Sequence, residues 1–175
     1  MSTGRLIVAL LAVTAAGAGG VGAAGLLEPG SGERRGTAAA GERVGRVVKV
    51  VDGDTIHVQI GAAREKVRYI GVDTPETRHP TKGVQCFGKN AAAFNAELVA
   101  GERVRLVRDV EERDRYGRLL AYVYRVRDGL FVNAELARLG YAQPLSIPPD
   151  VRFADRFAAL ARAAREQGRG LWSAC

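Results

Sequence analysis

The spacing of apolar positions changes character several times along the chain, and each change predicts an element. First comes an uncharged run from Leu6 through Leu27, preceded by Arg5. It opens with Leu6-Ile7-Val8-Ala9-Leu10-Leu11-Ala12-Val13 and continues with small residues, among them Ala16-Gly17-Ala18 and Ala23-Ala24. A short positive start, an apolar core and a small-x-small site describe an export signal, with cleavage expected after Ala18 or near Ala23-Ala24. Left uncut, the same run is long enough to span a bilayer, so an N-terminal membrane anchor is the alternative. Residues 28–41, made of Pro, Gly, Ser, Ala and charges, read as a disordered linker. The expected organisation is therefore 1–27 signal or anchor, 28–41 linker and 42–175 folded domain.

From Val44 the period becomes that of strands. Val44–Val51 and Thr55–Ile60 are rich in β-branched residues and flank an Asp-Gly-Asp turn, in which glycine would supply a positive φ. Lys66–Ile70 follows as a third strand. Between Phe87 and Val99 the period lengthens, and Phe87, Ala91, Phe94 and Leu98 form a stripe at helical spacing, ended by Gly101. Arg103–Arg108 alternates again, with Val104 and Leu106 on one face. Leu119–Val126 is a further strand, entered through a Tyr116-Gly117 turn. Val132–Leu139 reads as a short helix closed by Gly140, and after Pro148-Pro149 a third helix is expected, capped by Asp150. Its face would carry Phe153, Phe157, Leu160 and Ala164. Such stripes belong to a core, and strands outnumbering helices predict a small α+β domain that is mainly a β barrel.

Composition narrows the partners. The chain has 175 residues, enough for one domain with a sizeable core, and a formal net charge of +7. That balance favours polyanions, whether nucleic acid, anionic membrane or cell-wall polymer. Arginine makes most of the positive charge, and its planar fork suits phosphate. Two Cys and two His in no ligand-like spacing argue against a structural zinc site.

The chemistry-bearing residues are concentrated. Asp52-Gly53-Asp54-Thr55 is followed by Arg68, then by Val72-Asp73-Thr74-Pro75-Glu76-Thr77, and later by Asp114-Arg115-Tyr116-Gly117-Arg118. Taken singly, each piece is a turn, a loop end or a surface arginine. Taken together they contain the parts for metal-assisted phosphodiester cleavage. Carboxylate oxygens suit Ca²⁺ or Mg²⁺. If their strands are neighbours, Asp54 and Asp73 meet one cation, with the Thr74 carbonyl as a third oxygen. Glu76 lies just past that segment and can accept a proton from an attacking water. Arg68 and Arg118 can grip phosphate oxygens and stabilise a five-coordinate transition state.

These motifs, with His79-Pro80, Lys82-Gly83-Val84, Leu120-Ala121-Tyr122-Val123, Val132-Asn133 and Leu171-Trp172-Ser173, resemble the staphylococcal nuclease (thermonuclease) family of secreted Ca²⁺-dependent nucleases. The resemblance runs from about Val44 to Trp172. It implies a five-stranded OB-type barrel with three helices. It also implies metal ligands at Asp54, Asp73 and the Thr74 carbonyl, with Asp52 nearby, and catalytic residues Arg68, Glu76 and Arg118. Arg115 and Tyr116 fall where the family contacts phosphate on the 5′ side, although the family has lysine at the position of Arg115. Lys82 falls in a loop, His79 to Val84, that lines the site. The implied activity is hydrolysis of DNA and RNA to 3′-phosphate products by an extracellular monomer. One stretch departs from the pattern. Gln143–Pro149 contains no aromatic where the family carries base-packing tyrosines, and base stacking is typically worth about 1–3 kcal/mol. The alternative is therefore a nucleic-acid or polyanion-binding barrel with little turnover.

An exported chain with two cysteines permits one intramolecular pairing, so a Cys86–Cys175 disulfide is expected. Closing a loop of roughly 90 residues would stabilise by about 4–5 kcal/mol. His57 and His79 have no evident catalytic partner. Trp172 is expected to pack the C-terminal tail on the barrel, and Glu111 and Glu112 to be solvated turn residues.

Overall fold

The computed structural model describes residues 42–77 and 83–175. The expected signal or anchor and linker, and also His79 and Lys82, lie outside the described residues. The elements follow the order β1 (Glu42–Val50), β2 (Thr55–Ile60), β3 (Ala63–Tyr69), β4 (Gly71–Asp73), α1 (Gly88–Val99), β5 (Arg103–Val107), β6 (Leu119–Arg125), α2 (Val132–Arg138), β7 (Gln143–Leu145), α3 (Ala154–Glu166) and α4 (Leu171–Ala174).

Five strands close a barrel in the order β1-β2-β3-β6-β5, with β1 and β5 joining the ends. All its pairs are antiparallel except β3 with β6. Closure leaves the sheet without a free edge, and inward residues alternate with outward ones. Val47, Ile56, Val58, Val67, Tyr69, Val104, Leu106, Ala121 and Val123 are the buried alternates. Phe157 of α3 is fully buried and rests against Gly71, where φ is +82° and any Cβ would collide with its ring. Asn133 of α2 is buried as well. Its Oδ1 accepts from the Val123 amide (2.9 Å) and its Nδ2 donates to the Ile70 carbonyl (2.9 Å), tying α2 to β6 and to the start of β4. Asn133→Ala strands both groups away from water, with an expected loss on the order of 2 kcal/mol. A lower urea midpoint with unchanged slope is the check.

Several boundaries differ from expectation. The third strand starts at Ala63, not Lys66, because Gly61 (φ +57°) makes a tight hairpin in which Ile60 pairs with Ala63. The Gln143–Pro149 stretch contains a strand, β7, that pairs antiparallel with β4. Beyond the three expected helices, the chain forms the single turn α4. Asp150 does not cap α3, which begins at Ala154 without a side-chain cap. Its buried carboxylate instead accepts from the Val110 and Glu111 amides (2.8 and 2.9 Å), two donors that their loop leaves unpaired. Glu112 is not free in solvent but pairs with Arg43 at 2.6 Å.

The expected disulfide is present. Cys86 and Cys175 are bonded, with Cα atoms 6.0 Å apart and a sequence separation of 89. Trp172 is half-buried under the Arg165 guanidinium, 5.4 Å from its ring centre, as a packing residue of the tail.

Candidate active site

The barrel register brings the first carboxylate to the first guanidinium. Thr55 of β2 lies opposite Arg68 of β3, and the Tyr69 amide donates to the Asp54 carbonyl at 2.9 Å. Asp54 is buried. Its Oδ1 accepts from the Thr55 hydroxyl (3.0 Å) and lies 3.2 Å from Arg68 Nε. Its Oδ2 accepts from the amide and the hydroxyl of Thr74 (2.8 and 3.0 Å). Arg68 Nη1 donates to the carbonyls of Tyr69 (2.8 Å) and Val72 (2.7 Å), and Nη2 donates to Asp73 Oδ1 at 2.8 Å. One guanidinium therefore joins Asp54 and Asp73, which lie 19 residues apart in sequence. The pairing of Asp73 with Gln143 across β4 and β7 fixes the main chain that carries the second carboxylate.

The Asp52-Gly53-Asp54 turn is shaped by packing. Gly53 does not adopt the positive φ expected of it; a Cβ there would meet Thr74 Oγ1 at 2.6 Å, so glycine is needed for the close approach of the turn to Thr74. Asp52 Oδ1 accepts from the Asp54 amide at 3.1 Å. The Asp52 carbonyl accepts from Asn95 Nδ2 (2.9 Å), while Asn95 Oδ1 accepts from the Tyr69 hydroxyl (2.9 Å). Asn95, fully buried on α1, thus holds both the turn and β3, a role the sequence reading missed. Its signal was a polar residue at helical spacing from Ala91 and Leu98, on the apolar face. Burial, then the neighbouring Asp54 charge, pushes the Asp52 carboxyl up to about 6. Burial also raises the Asp73 carboxyl; the Arg68 charge opposes that shift and Asp54 adds to it.

The second guanidinium stands on the loop before β6. Asp114 Oδ1 accepts from the amides of Tyr116 (2.9 Å) and Arg118 (3.0 Å), and Oδ2 accepts from Arg118 Nε at 2.6 Å. Partial burial works to raise the Asp114 carboxyl, but these hydrogen bonds prevail and hold it below the usual aspartate range. Among the described residues, neither Nη of Arg118 has a hydrogen-bond partner. Arg115 Nη2 donates to the Tyr116 hydroxyl at 2.6 Å, and the Arg115 and Arg118 guanidinium carbons lie 4.8 and 5.4 Å from the centre of the exposed Tyr116 ring.

Arg68, Arg115, Tyr116 and Arg118 share one cleft of about 460 Å³, with Leu120, Leu145 and Ile147 as apolar wall. Asp114 and Asp150 also reach the wall, each already holding backbone amides of the 110–118 loop. As expected, the 143–149 stretch supplies no aromatic; it offers Leu145 and the exposed Ile147. Glu76 does not line this cleft. Its carboxylate is exposed, and its charge is near enough to Asp52 to add to that carboxyl's upward shift.

The donor set fits a hard dication. Asp54 Oδ1 and Asp73 Oδ1 converge on a single positive group, and burial, with the neighbouring Asp54 charge adding to it, already raises Asp52. Among the described residues no three acidic, His or Cys side chains form a cage. An ion held by these two carboxylates would be completed by backbone, water and substrate oxygens.

Residues 66–174 match the family model described as "Staphylococcal nuclease homologue". The chain belongs to this family. It is 36% identical over 148 residues to the thermonuclease of Staphylococcus hyicus, covering 85% of this chain and 86% of the relative. To the thermonuclease of Staphylococcus intermedius it is 40% identical over 126 residues, 72% of this chain and 74% of the relative. Endonuclease YncB of Bacillus subtilis is 39% identical over 127 residues, 71% of this chain and 59% of that protein. The part matched by the staphylococcal nuclease homologue model contains Arg68, Asp73, Thr74, Glu76 and Arg118, while the Asp52-Gly53-Asp54 turn lies just ahead of it.

Proposed function

We propose that the chain is a Ca²⁺-dependent nuclease that hydrolyses phosphodiester bonds of DNA and RNA to products with 3′-phosphates. The observation that carries this reading is that Arg68, which lines one cleft with Arg118, is joined to Asp54 and Asp73, neither of which lines the cleft. Asp54, Asp73 and the Thr74 carbonyl hold the ion, and calcium rather than magnesium is assigned from the family resemblance. When bound, it supplies positive charge that draws a phosphate and an attacking water together.

The chain's own residues do the rest. Arg118 offers its Nη donors to the phosphate oxygens while Asp114 holds its Nε, so the fork enters the reaction already oriented. Arg68, whose Nη2 keeps one N–H beyond its bond to Asp73, binds the same phosphate. As water oxygen bonds to phosphorus and the bond to the 5′ oxygen breaks, both forks meet growing negative charge, and the 5′ oxygen leaves as a hydroxyl with a proton from solvent water. Glu76 takes the proton of the attacking water. Arg115 and Tyr116 bind the phosphate on the 5′ side, and the family resemblance assigns Lys82, which lies outside the described residues, to the substrate as well. The enzyme acts outside the cell as a monomer, released from residues 1–27 or anchored by them; among the described residues no helix is long and apolar enough to cross a membrane.

A second reading, a polyanion-binding barrel with little turnover, is favoured by the aliphatic wall at Leu145 and Ile147, where a base has no ring to stack on. Arg118→Ala separates the two. A nuclease should lose about 10²- to 10³-fold in kcat, with folding nearly unchanged because Arg118 pairs only near the surface. A mere binder would show weaker association and no rate to lose.

A further inference from the structure

We infer that the Cys86–Cys175 disulfide, acting through Gln85, positions Glu76, so that full cleavage activity requires the oxidised protein. The inference rests on the nuclease reading above, in which Glu76 takes the proton.

Both main-chain groups of Glu76 are bonded to one residue. Its amide donates to Gln85 Oε1 at 2.9 Å, and its carbonyl accepts from the Gln85 amide at 2.9 Å. The Glu76 carbonyl also lies against the start of α1, where a Cβ on Gly88 would meet it at 2.7 Å. Gln85 and Gly88 therefore clasp the backbone of Glu76, and Cys86 stands between them. Residues 83–86 are all exposed, so this segment has no buried side chain to anchor it. Its next residue, Phe87, sits at φ +66°, a left-handed conformation that an L side chain keeps only when its surroundings impose it.

Phe87 packs against Tyr141, with ring centres 5.3 Å apart, and the disulfide adds a covalent tie at the residue just before it. At its far end, the Cys175 amide donates to the Leu171 carbonyl (3.1 Å), and the Leu171 amide donates to the Gly140 carbonyl (2.9 Å). Leu171 is buried. The bond thus ties an exposed segment to a packed one. The Glu76 carboxylate is itself exposed and takes its placement from its main chain, so loosening Gln85 spreads the base over positions too far from the reacting water. Gln85 is a positioning residue, not a catalytic one.

Opening the bond is a two-electron step. A thiolate of a dithiol reductant attacks one sulfur, and the reductant's second thiol then displaces the mixed disulfide. Cys86 and Cys175 gain two electrons and two protons as thiols, and the reductant leaves as a cyclic disulfide. A reduced interior would therefore keep the chain slow, and oxidation after export would raise its rate.

The test uses the oxidised protein with single-stranded DNA in saturating Ca²⁺, before and after complete reduction by dithiothreitol. It is run at a temperature where circular dichroism shows both forms folded. Reduction should lower kcat by about 10- to 100-fold with KM nearly constant, and should speed hydrogen exchange at the Glu76 and Gln85 amides. Gln85→Leu should give the same drop with the disulfide intact, while Gln85→Glu, which keeps the accepting oxygen, should retain the rate. Unchanged kcat in the reduced, folded protein, or a fully active Gln85→Leu, overturns the inference. An oxidised protein that cuts no DNA overturns the nuclease reading and this catalytic role together. Amide exchange then still reports whether the disulfide orders Glu76.

Discussion

An Arg68→Ala protein is expected to lose about 3–5 kcal/mol of folding stability and, under conditions where it still folds, to cleave at least about 10²-fold more slowly. The two losses have one cause. Arg68 is 12% exposed and bonded to the carbonyls of Tyr69 and Val72 as well as to the carboxylates of Asp54 and Asp73. Removing it leaves Asp54, whose side chain is 7% exposed, as a buried anion facing Asp52 without the neighbouring guanidinium. It also leaves two carbonyls short of a donor. Lysine should not rescue the protein, since a single ammonium cannot reach acceptors placed around a planar fork. Urea denaturation and single-turnover cleavage measure the two effects separately. In Arg118→Ala only the rate should fall, because that side chain carries no buried network. An Arg68→Ala protein of unchanged stability would mean that the guanidinium does not hold the two carboxylates together.

Glu76→Gln should reduce cleavage by about 10²- to 10⁴-fold while leaving stability and Ca²⁺-dependent DNA binding in place. The substitution keeps the shape of the side chain and both main-chain bonds to Gln85, and the exposed carboxylate holds up no part of the core. What disappears is the site proposed to accept the water's proton. Comparing kcat with the binding constant for uncleaved DNA checks it. Unchanged cleavage would remove Glu76 from the role of base.

The strands of the barrel were legible because each buries one face, so Val104 and Leu106, or Ile56 and Val58, mark their own alternation. The start of β3 was not, since Ala63, Arg64 and Glu65 lie on the outer arm of a hairpin and have no apolar alternate. The β4–β7 pair was hidden for another reason. Each strand has three residues, and their pairing joins Asp73 to Gln143 across the whole middle of the chain. Asp150 before an apolar stripe looked like a cap, and only the fold reveals the amides of Val110 and Glu111 competing for it. The candidate site was read more fully because most of its members fall in three short motifs. What no motif contains is the contact between them. The joining of Asp54 and Asp73 by Arg68, the grip of Asn95 on the turn and the clasp of Gln85 on Glu76 all depend on the folded arrangement of separate segments.

Calcium-assisted cutting of phosphodiester bonds is the activity proposed for this cluster. Its most direct test is to incubate the protein from Glu42 onward with 5′-labelled single-stranded DNA, in Ca²⁺ and in excess chelator, and to determine the end groups of any fragments. Calcium-dependent fragments ending in 3′-phosphate are the predicted result. DNA left intact in calcium, but bound equally well in chelator, would contradict the account and leave a barrel that holds polyanions without cutting them.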